Sequence, residues 1–264
     1  MTETDAALLA VYDEQMRGAS PTPPPGVGYE HDGPLVRAVG QFRGFVFGPR
    51  DIGVRGAELD QLIARQRDCF AARSEQVEWR THGHDAPAEL PGRLRAAGFA
   101  AEGLKTVVVG PTARMATEPA LPDGVALRRV TSEADMRRIA AHQATVWDMD
   151  LSWLAGMLTE RSEAAPDDVF VLVAEHGGEI VSAAWMFLWP GRDFAGLRGG
   201  TTVPAWRGRG IYRSLVAARA GIAAERGVRY LHVDATGDSL PILRRLGFRA
   251  VTTTTPYVWT PPGR

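Results

Sequence analysis

Val203-Pro204-Ala205-Trp206-Arg207-Gly208-Arg209-Gly210-Ile211-Tyr212 sets two glycines and two arginines between a strand-like run and a long helical pattern. Upstream, Phe194 to Val203 ends in Thr201-Thr202-Val203, and Pro204 closes the run as prolines do where strands end. Downstream, Ile211, Leu215, Val216, Ala218, Ile222 and Ala223 recur at helical spacing until Gly227 stops the pattern. Glycines let a backbone approach a ligand closely, and the unpaired amides and positive dipole end of the next helix attract an anion. The pyrophosphate of a nucleotide-containing cofactor suits such a cradle. Alone the loop is weak evidence, because Arg207-Gly208-Arg209-Gly210 also reads as an ordinary basic turn.

Its context carries more. Val228 to Asp234 reads as a strand, and Ser239 to Leu246 as a short helix ended by Gly247-Phe248. With that succession in view, the chain resembles the GNAT superfamily of N-acetyltransferases. The family's cofactor loop reads Gln/Arg-x-x-Gly-x-Gly/Ala and here reads Arg207-Gly208-Arg209-Gly210-Ile211-Tyr212. The last position departs from the pattern: Tyr212 keeps a backbone amide, but its bulk is expected to narrow the entrance to the phosphate site. The family's later segment, a strand and a short helix ending in Leu-Gly-Phe, is matched by Val233 to Phe248. The resemblance implies an α/β fold of the α+β kind, with a mixed, mostly antiparallel twisted sheet flanked by helices. It also implies an acyl-CoA cofactor, acetyl-CoA by default, held by Thr202, Val203, Arg207, Gly208, Arg209, Gly210, Ile211 and Tyr212.

The chain of 264 residues is long enough for two domains. Gly110-Pro111-Thr112 and Pro119-Ala120-Leu121-Pro122 interrupt two periodic regions, so residues 1–115 and 124–264 are expected as domains and 116–123 as their linker. After the linker, Val125 to Val130 reads as a strand, followed by a helix capped by Thr131 or Ser132. A second helix spans Ser152 to Arg161. Val169 to Glu175 and Ile180 to Leu188 form a hairpin across His176-Gly177-Gly178-Glu179.

Laid over the second half, the first half shows an approximate repeat. Val77 to Thr81 corresponds to Val228 to His232, and Leu94-Arg95-Ala96-Ala97-Gly98-Phe99 to Leu243-Arg244-Arg245-Leu246-Gly247-Phe248. Each copy has a long helical segment before it, Ala57 to Ser74 in the first half, and a Val- or Thr-rich strand after it. The expected architecture is therefore two GNAT-like domains. Where the cradle belongs, the first half offers Gly48-Pro49-Arg50-Asp51-Ile52-Gly53-Val54-Arg55-Gly56, whose proline and aspartate disfavour an anion; it reads as a degenerate copy. Asp5 to Arg17 is an amphipathic helix, and Ala19 to Gly28 a Pro-rich spacer. His82-Gly83-His84-Asp85 lacks a distant ligand set and reads as a polar loop; no metal is expected.

The chemistry that the resemblance implies is attack of an amine on an acyl thioester. An alkylammonium has a pKa near ~10, so a base helps to free it at neutral pH. Asp234 and His232 fall on one side of the strand that begins at Val228 and are candidates, as are Asp148 and Asp150 in the loop before Ser152. Asp234 also fits a turn cap, and His232 a core histidine. Many relatives place a tyrosine on the short helix before Gly-Phe to protonate the leaving thiolate; here the position is Leu243. A thiol of pKa ~8.5 leaving at pH 7 needs only about 2 kcal/mol of help, and Tyr212 and Ser239 are possible donors. The strand edge near Thr202 and Val203 is expected to hold the acyl carbonyl. Trp185, Trp189 and Trp206 read as packing residues.

With 30 basic and 31 acidic residues there is no global charge pointing to nucleic acid, and no apolar run is long enough to span a bilayer. The single Cys69 can form no internal disulfide, which fits a reducing cytoplasm. The expected partner is a small-molecule or peptide amine. The alternatives are a noncatalytic acyl-CoA-binding or regulatory module, and a transferase that uses a carrier-bound donor.

Overall fold

The computed structural model describes residues 4–20, 23–24, 26–41 and 43–262. Residues 21, 22 and 25 of the Pro-rich stretch and the first three residues lie outside that description. In chain order the elements are α1 (Asp5–Met16), β1 (Gly28–Asp32), β2 (Leu35–Val39), β3 (Arg43–Phe47), α2 (Gly56–Ala72), β4 (Gln76–His82), α3 (Leu90–Ala96), β5 (Ala100–Ala101), β6 (Lys105–Pro111) and α4 (Thr112–Met115). They continue with β7 (Val125–Val130), α5 (Glu133–Trp147), α6 (Trp153–Ala164), β8 (Val169–His176), β9 (Glu179–Leu188), β10 (Phe194–Thr202), α7 (Ile211–Glu225), β11 (Tyr230–Ala235), α8 (Leu240–Leu246) and β12 (Arg249–Trp259).

These elements pack as two compact units whose division is not a single cut. One takes the described residues up to Val108 with Asp234–Leu240 and those from Ala250 onward; the other takes Val109–Val233 with Pro241–Arg249. Each has mixed strands flanked by helices.

In the first unit the strands lie in the order β1-β2-β3-β4-β12, with β5 also on β12. β1 to β3 form an antiparallel meander, and α2 then crosses over so that β4 runs parallel to β3, Arg43 opposite Gln76 and Val46 opposite Trp79. The chain's last strand enters here: Thr254 to Trp259 pair antiparallel with His82 to Val77. The core gathers Leu59, Ile63 and Phe70 of α2 with Val77, Trp79, Leu94 and Phe99, and Tyr257 and Trp259 arrive from β12.

The His82-Gly83-His84-Asp85 motif is absorbed into a polar cluster of this unit. His84 bridges Thr252 Oγ1 at 2.7 Å and Asp13 at 2.8 Å, and Arg17 donates to Asp85 at 2.5 Å. The described residues include no group of three or more His, Cys, Asp or Glu side chains able to hold a metal ion.

His82 itself has a side chain only 8 % exposed. Burial first, and then the Arg17 guanidinium, pull its pKa down to about 3. In the unfolded chain the value returns to ~6.5, so below that pH the unfolded state binds the extra proton and stability falls on acidification. Between pH 7 and pH 5, before carboxylates titrate, denaturant unfolding is expected to lose about 2 kcal/mol, and His82→Phe to remove most of that slope. Equal stability at the two pH values, with His82 protonated in the folded protein at pH 5, would overturn the assignment.

In the second unit the order is β11-β10-β9-β8-β7. β7 to β10 are antiparallel neighbours, and α7 returns the chain so that β11 is parallel to β10. Ser132 caps α5 by accepting from the Asp135 amide. β8 and β9 are buried over most of their length because helices cover the sheet. α5 and α6 bring Met136, Ile139, Leu154 and Leu158 against Val169, Val171, Val173, Ala183 and Trp185. No helix among the described residues is long and apolar enough to cross a membrane.

Candidate functional site

Two features of the second unit define the site: a gap beside β10 and the loop that leaves it. β10 pairs with β11 only over Phe194, Ala195 and Gly196, opposite Tyr230, Leu231 and His232. Beyond Gly196 that edge of β10 has no β11 partner, while its other edge stays on β9 with a register shift between Arg198 and Thr201. The shift is a bulge at Gly199-Gly200, and bulges of this kind bend a strand and interrupt its ladder.

Four side chains fix the bulge. Gly199 has φ +61°, and a methyl group there would overlap the Trp185 indole. A methyl on Gly200 would lie 2.7 Å from the Tyr212 ring. Gln143 Nε2 donates to Gly199 O at 2.6 Å, and Arg219 Nη1 to Trp185 O at 2.9 Å and Arg198 O at 3.4 Å. The glycine pair is held between two aromatic rings, with its flanking carbonyls tied by side-chain donors from α5 and α7.

Past the bulge, Val203 gives its amide to Val181 O on β9 at 3.0 Å. Antiparallel alternation therefore turns the Thr202 backbone to the open edge, where Arg207 Nε donates to Thr202 O at 3.0 Å. The sequence nominated both Thr202 and Val203 as carbonyl holders; only Thr202 turns its amide into the gap.

The cradle follows. Gly208 and Gly210 have φ +74° and +84°, the left-handed region open to glycine at little strain. Gly210 is the N-cap of α7, and the first helical bond is Ser214 N to Gly210 O, so the amides of Ile211, Tyr212 and Arg213 precede the hydrogen-bonded ladder. Arg207 is tied to β10, and Arg209 lies 4.6 Å over the Trp206 ring, which itself packs 4.6 Å from His176. Beside the first turn of α7 lies a cavity of about 190 Å³ lined by Arg114, Ala120, Gly210, Arg213 and Ser214 among others. Ala120 of the expected linker accepts from Ser214 Oγ at 2.6 Å. Amides, positive-φ glycines and the arginines Arg114 and Arg213 fit a phosphate-bearing cofactor.

Tyr212 does not point at this loop. Its ring turns inward onto Gly200, so the expected narrowing of the phosphate entrance gives way to a phenol beside the bulge. Burial raises its pKa and the Arg219 charge partly opposes this, so the hydroxyl carries its proton at neutral pH.

The structure separates the two base candidates on β11. His232 is buried, stacked on Trp189 at 5.5 Å and edge-on to Phe194 at 6.1 Å, above Gly196, where a methyl would approach its Nε2 to 3.0 Å. Asp234 belongs to the first unit and lies 3.4 Å from Arg80 Nη1, while Arg80 Nη2 donates to Glu78 at 2.6 Å. Burial works to lower the Arg80 pKa, but Glu78 and Asp234 outweigh it and hold the guanidinium above its usual range. Asp234 thus faces a permanent cation. Asp150 accepts from the Ser152 amide at 2.9 Å, and Asp148 ends α5 at φ +50°. Ser239 turns back on Thr236, Leu243 is fully buried, and Tyr257 sits in the first unit's core.

The first-unit loop that the sequence lays over this cradle, Gly48 to Gly56, is built differently. Asp51 accepts from the Gly53 amide and pairs with Arg55 at 2.9 Å, and Glu89 accepts from the Gly56 amide at the start of α2, also at 2.9 Å. Those backbone bonds lead the causes that lower the pKa of both carboxylates. Two carboxylates thus occupy the Gly53 and Gly56 amides.

Residues 134–248 match the model of the acetyltransferase (GNAT) family. Among solved structures, a GCN5-related N-acetyltransferase from Kribbella flavida aligns with TM-score 0.69 at 18 % identity, covering 100 % of this chain and 98 % of that one. A tandem GNAT protein from the clavulanic acid biosynthesis pathway gives TM-score 0.62 at 14 % identity, covering 97 % and 94 %. A GCN5-related N-acetyltransferase from Sphaerobacter thermophilus gives TM-score 0.61 at 17 % identity, covering 90 % and 84 %. At these identities the likeness is one of fold. No curated protein matches.

Proposed function

We infer that this chain, which carries a domain of the acetyltransferase (GNAT) family at residues 134–248, is an acyl-CoA-dependent N-acyltransferase acting on a primary amine of a small molecule or peptide. The observation that carries this reading is the open edge of β10 beyond Gly196 leading into the amide cradle of Gly208 to Arg213. Such an edge suits the extended arm of an acyl-CoA, and the cradle its pyrophosphate. Acetyl-CoA is the default donor; when bound it supplies an acyl thioester.

The chain's own residues divide the work. The Thr202 amide offers a hydrogen bond to the carbonyl oxygen on which negative charge develops. Tyr212, whose ring lies against Gly200 in the same strand, gives its proton to sulfur as the carbon–sulfur bond breaks and the new carbon–nitrogen bond forms. The proton shed by the amine passes to solvent, from which Tyr212 recovers its own. Asp234, paired with Arg80 in the first unit, is poorly suited to removing a proton, and His232 is suited to packing. The first unit is then a degenerate copy, its loop closed by Asp51 and Glu89.

Buried Leu243, where relatives carry a tyrosine, favours a second reading as a noncatalytic acyl-CoA-binding module. Calorimetry with acetyl-CoA, followed by thiol release across a panel of amines, separates the two. We expect micromolar binding and amine-dependent thiol release. Binding without release from any amine would leave the module; absence of binding at millimolar cofactor would end the acyl-CoA reading.

A further inference from the structure

Arg219 is the largest fully buried side chain among the described residues, 1 % exposed, and no carboxylate pairs with it. A buried charge without a counterion is costly, and a neutral side chain of similar volume is often as stable or more so. It lies on the apolar stripe of α7, one turn from Leu215 and from Ala223.

What it touches is the bulge. Nε donates to Leu215 O at 2.9 Å within the helix, and Nη1 reaches across to the carbonyls of Trp185 and Arg198. Arg198 and Trp185 are opposite each other in register, the last such pair before the ladder breaks at Gly199. Two turns earlier on the same helix, Tyr212 rests on Gly200. The cation lies beneath the segment where the proposed reaction develops negative charge.

We propose that Arg219 is a positioning residue for acyl transfer: a permanent buried cation, anchored on the carbonyls of Trp185 and Arg198, that fixes the β10 bulge and lends positive potential to Tyr212 and to the thiolate leaving beside it. This rests on the acyl-CoA reading above. Burial pulls the guanidinium down to about 10, still protonated at neutral pH, and its charge opposes the rise that burial imposes on Tyr212.

The test is the ionisation of the thiol of bound CoA, followed by thiolate absorbance in the ultraviolet, in the wild type, Arg219→Met and Arg219→Lys. Affinity for desulfo-CoA, which lacks the thiol, is measured in parallel. We expect the wild type to ionise the bound thiol below its free value of ~8.5, and Arg219→Met to lower the thiolate fraction at pH 7 about tenfold. Desulfo-CoA affinity should change less than twofold, and Arg219→Lys should restore ionisation. Unchanged thiol titration in folded Arg219→Met overturns the proposal, as does equal loss of desulfo-CoA affinity in both variants, the mark of a purely structural arginine. If Arg219→Met does not fold, Arg219→Lys decides: wild-type thiol ionisation supports the role and a free-solution value refutes it. A wild type that binds no CoA ends the acyl-CoA reading instead. The phenol titration of Tyr212, moved upward in Arg219→Met or not, then tests the cation alone.

Discussion

Gly210→Glu is expected to abolish acetyl-CoA binding in calorimetry while Gly210→Ala only weakens it. Both variants place a side chain at φ +84°, a strain of about 1–2 kcal/mol, and both bring Cβ to 3.3 Å from the mobile end of Arg213 and 3.6 Å from Ala120 O. They differ in charge. A carboxylate about 4 Å from a phosphate opposes it by about 4 kcal/mol in a partly screened setting, about a thousandfold in affinity. The alanine variant should lose about tenfold at most. Thermal unfolding of both checks that the cradle, and not the fold, is what changed. Equal affinities would mean that the pyrophosphate lies elsewhere.

The second large effect is expected at Gly199. Alanine there meets the Trp185 indole inside van der Waals contact and must also hold φ +61°. Overpacking of this kind costs about 1–3 kcal/mol, and the left-handed backbone adds about 1–2. Together they should lower the melting temperature of the second unit by roughly 10 °C. Because the indole is the obstacle, Gly199→Ala with Trp185→Leu should be less damaging than the two single effects summed. Strict additivity would show that the ring and the glycine do not meet.

Much of the second unit was legible because its signals are local. The strand, glycine loop, helix and strand from Phe194 to Asp234 each announce themselves within a few residues, and the structure places β10, α7, β11 and α8 within two residues of the expected bounds. β1 to β3 have no such local signal: Gly28–Asp32 alternates weakly, and its charged residues Glu30 and Asp32 are half-buried rather than exposed. Two facts about the site have a sequence signal. Gly199-Gly200 inside a strand marks a bulge, and an arginine on an apolar helical stripe marks a buried cation. Others had none. The Arg80–Asp234 pair joins residues far apart in the chain, and the inward turn of Tyr212 depends on what faces it across the sheet.

The last strand sets an order of events. β4 is synthesised long before β12, yet Val77 to His82 find their antiparallel partners only in Trp259 to Thr254. While the ribosome works through the second half, that edge of the first unit is uncovered, a template for pairing with other chains. The N-terminal unit is thus the first to be made and the last to be finished.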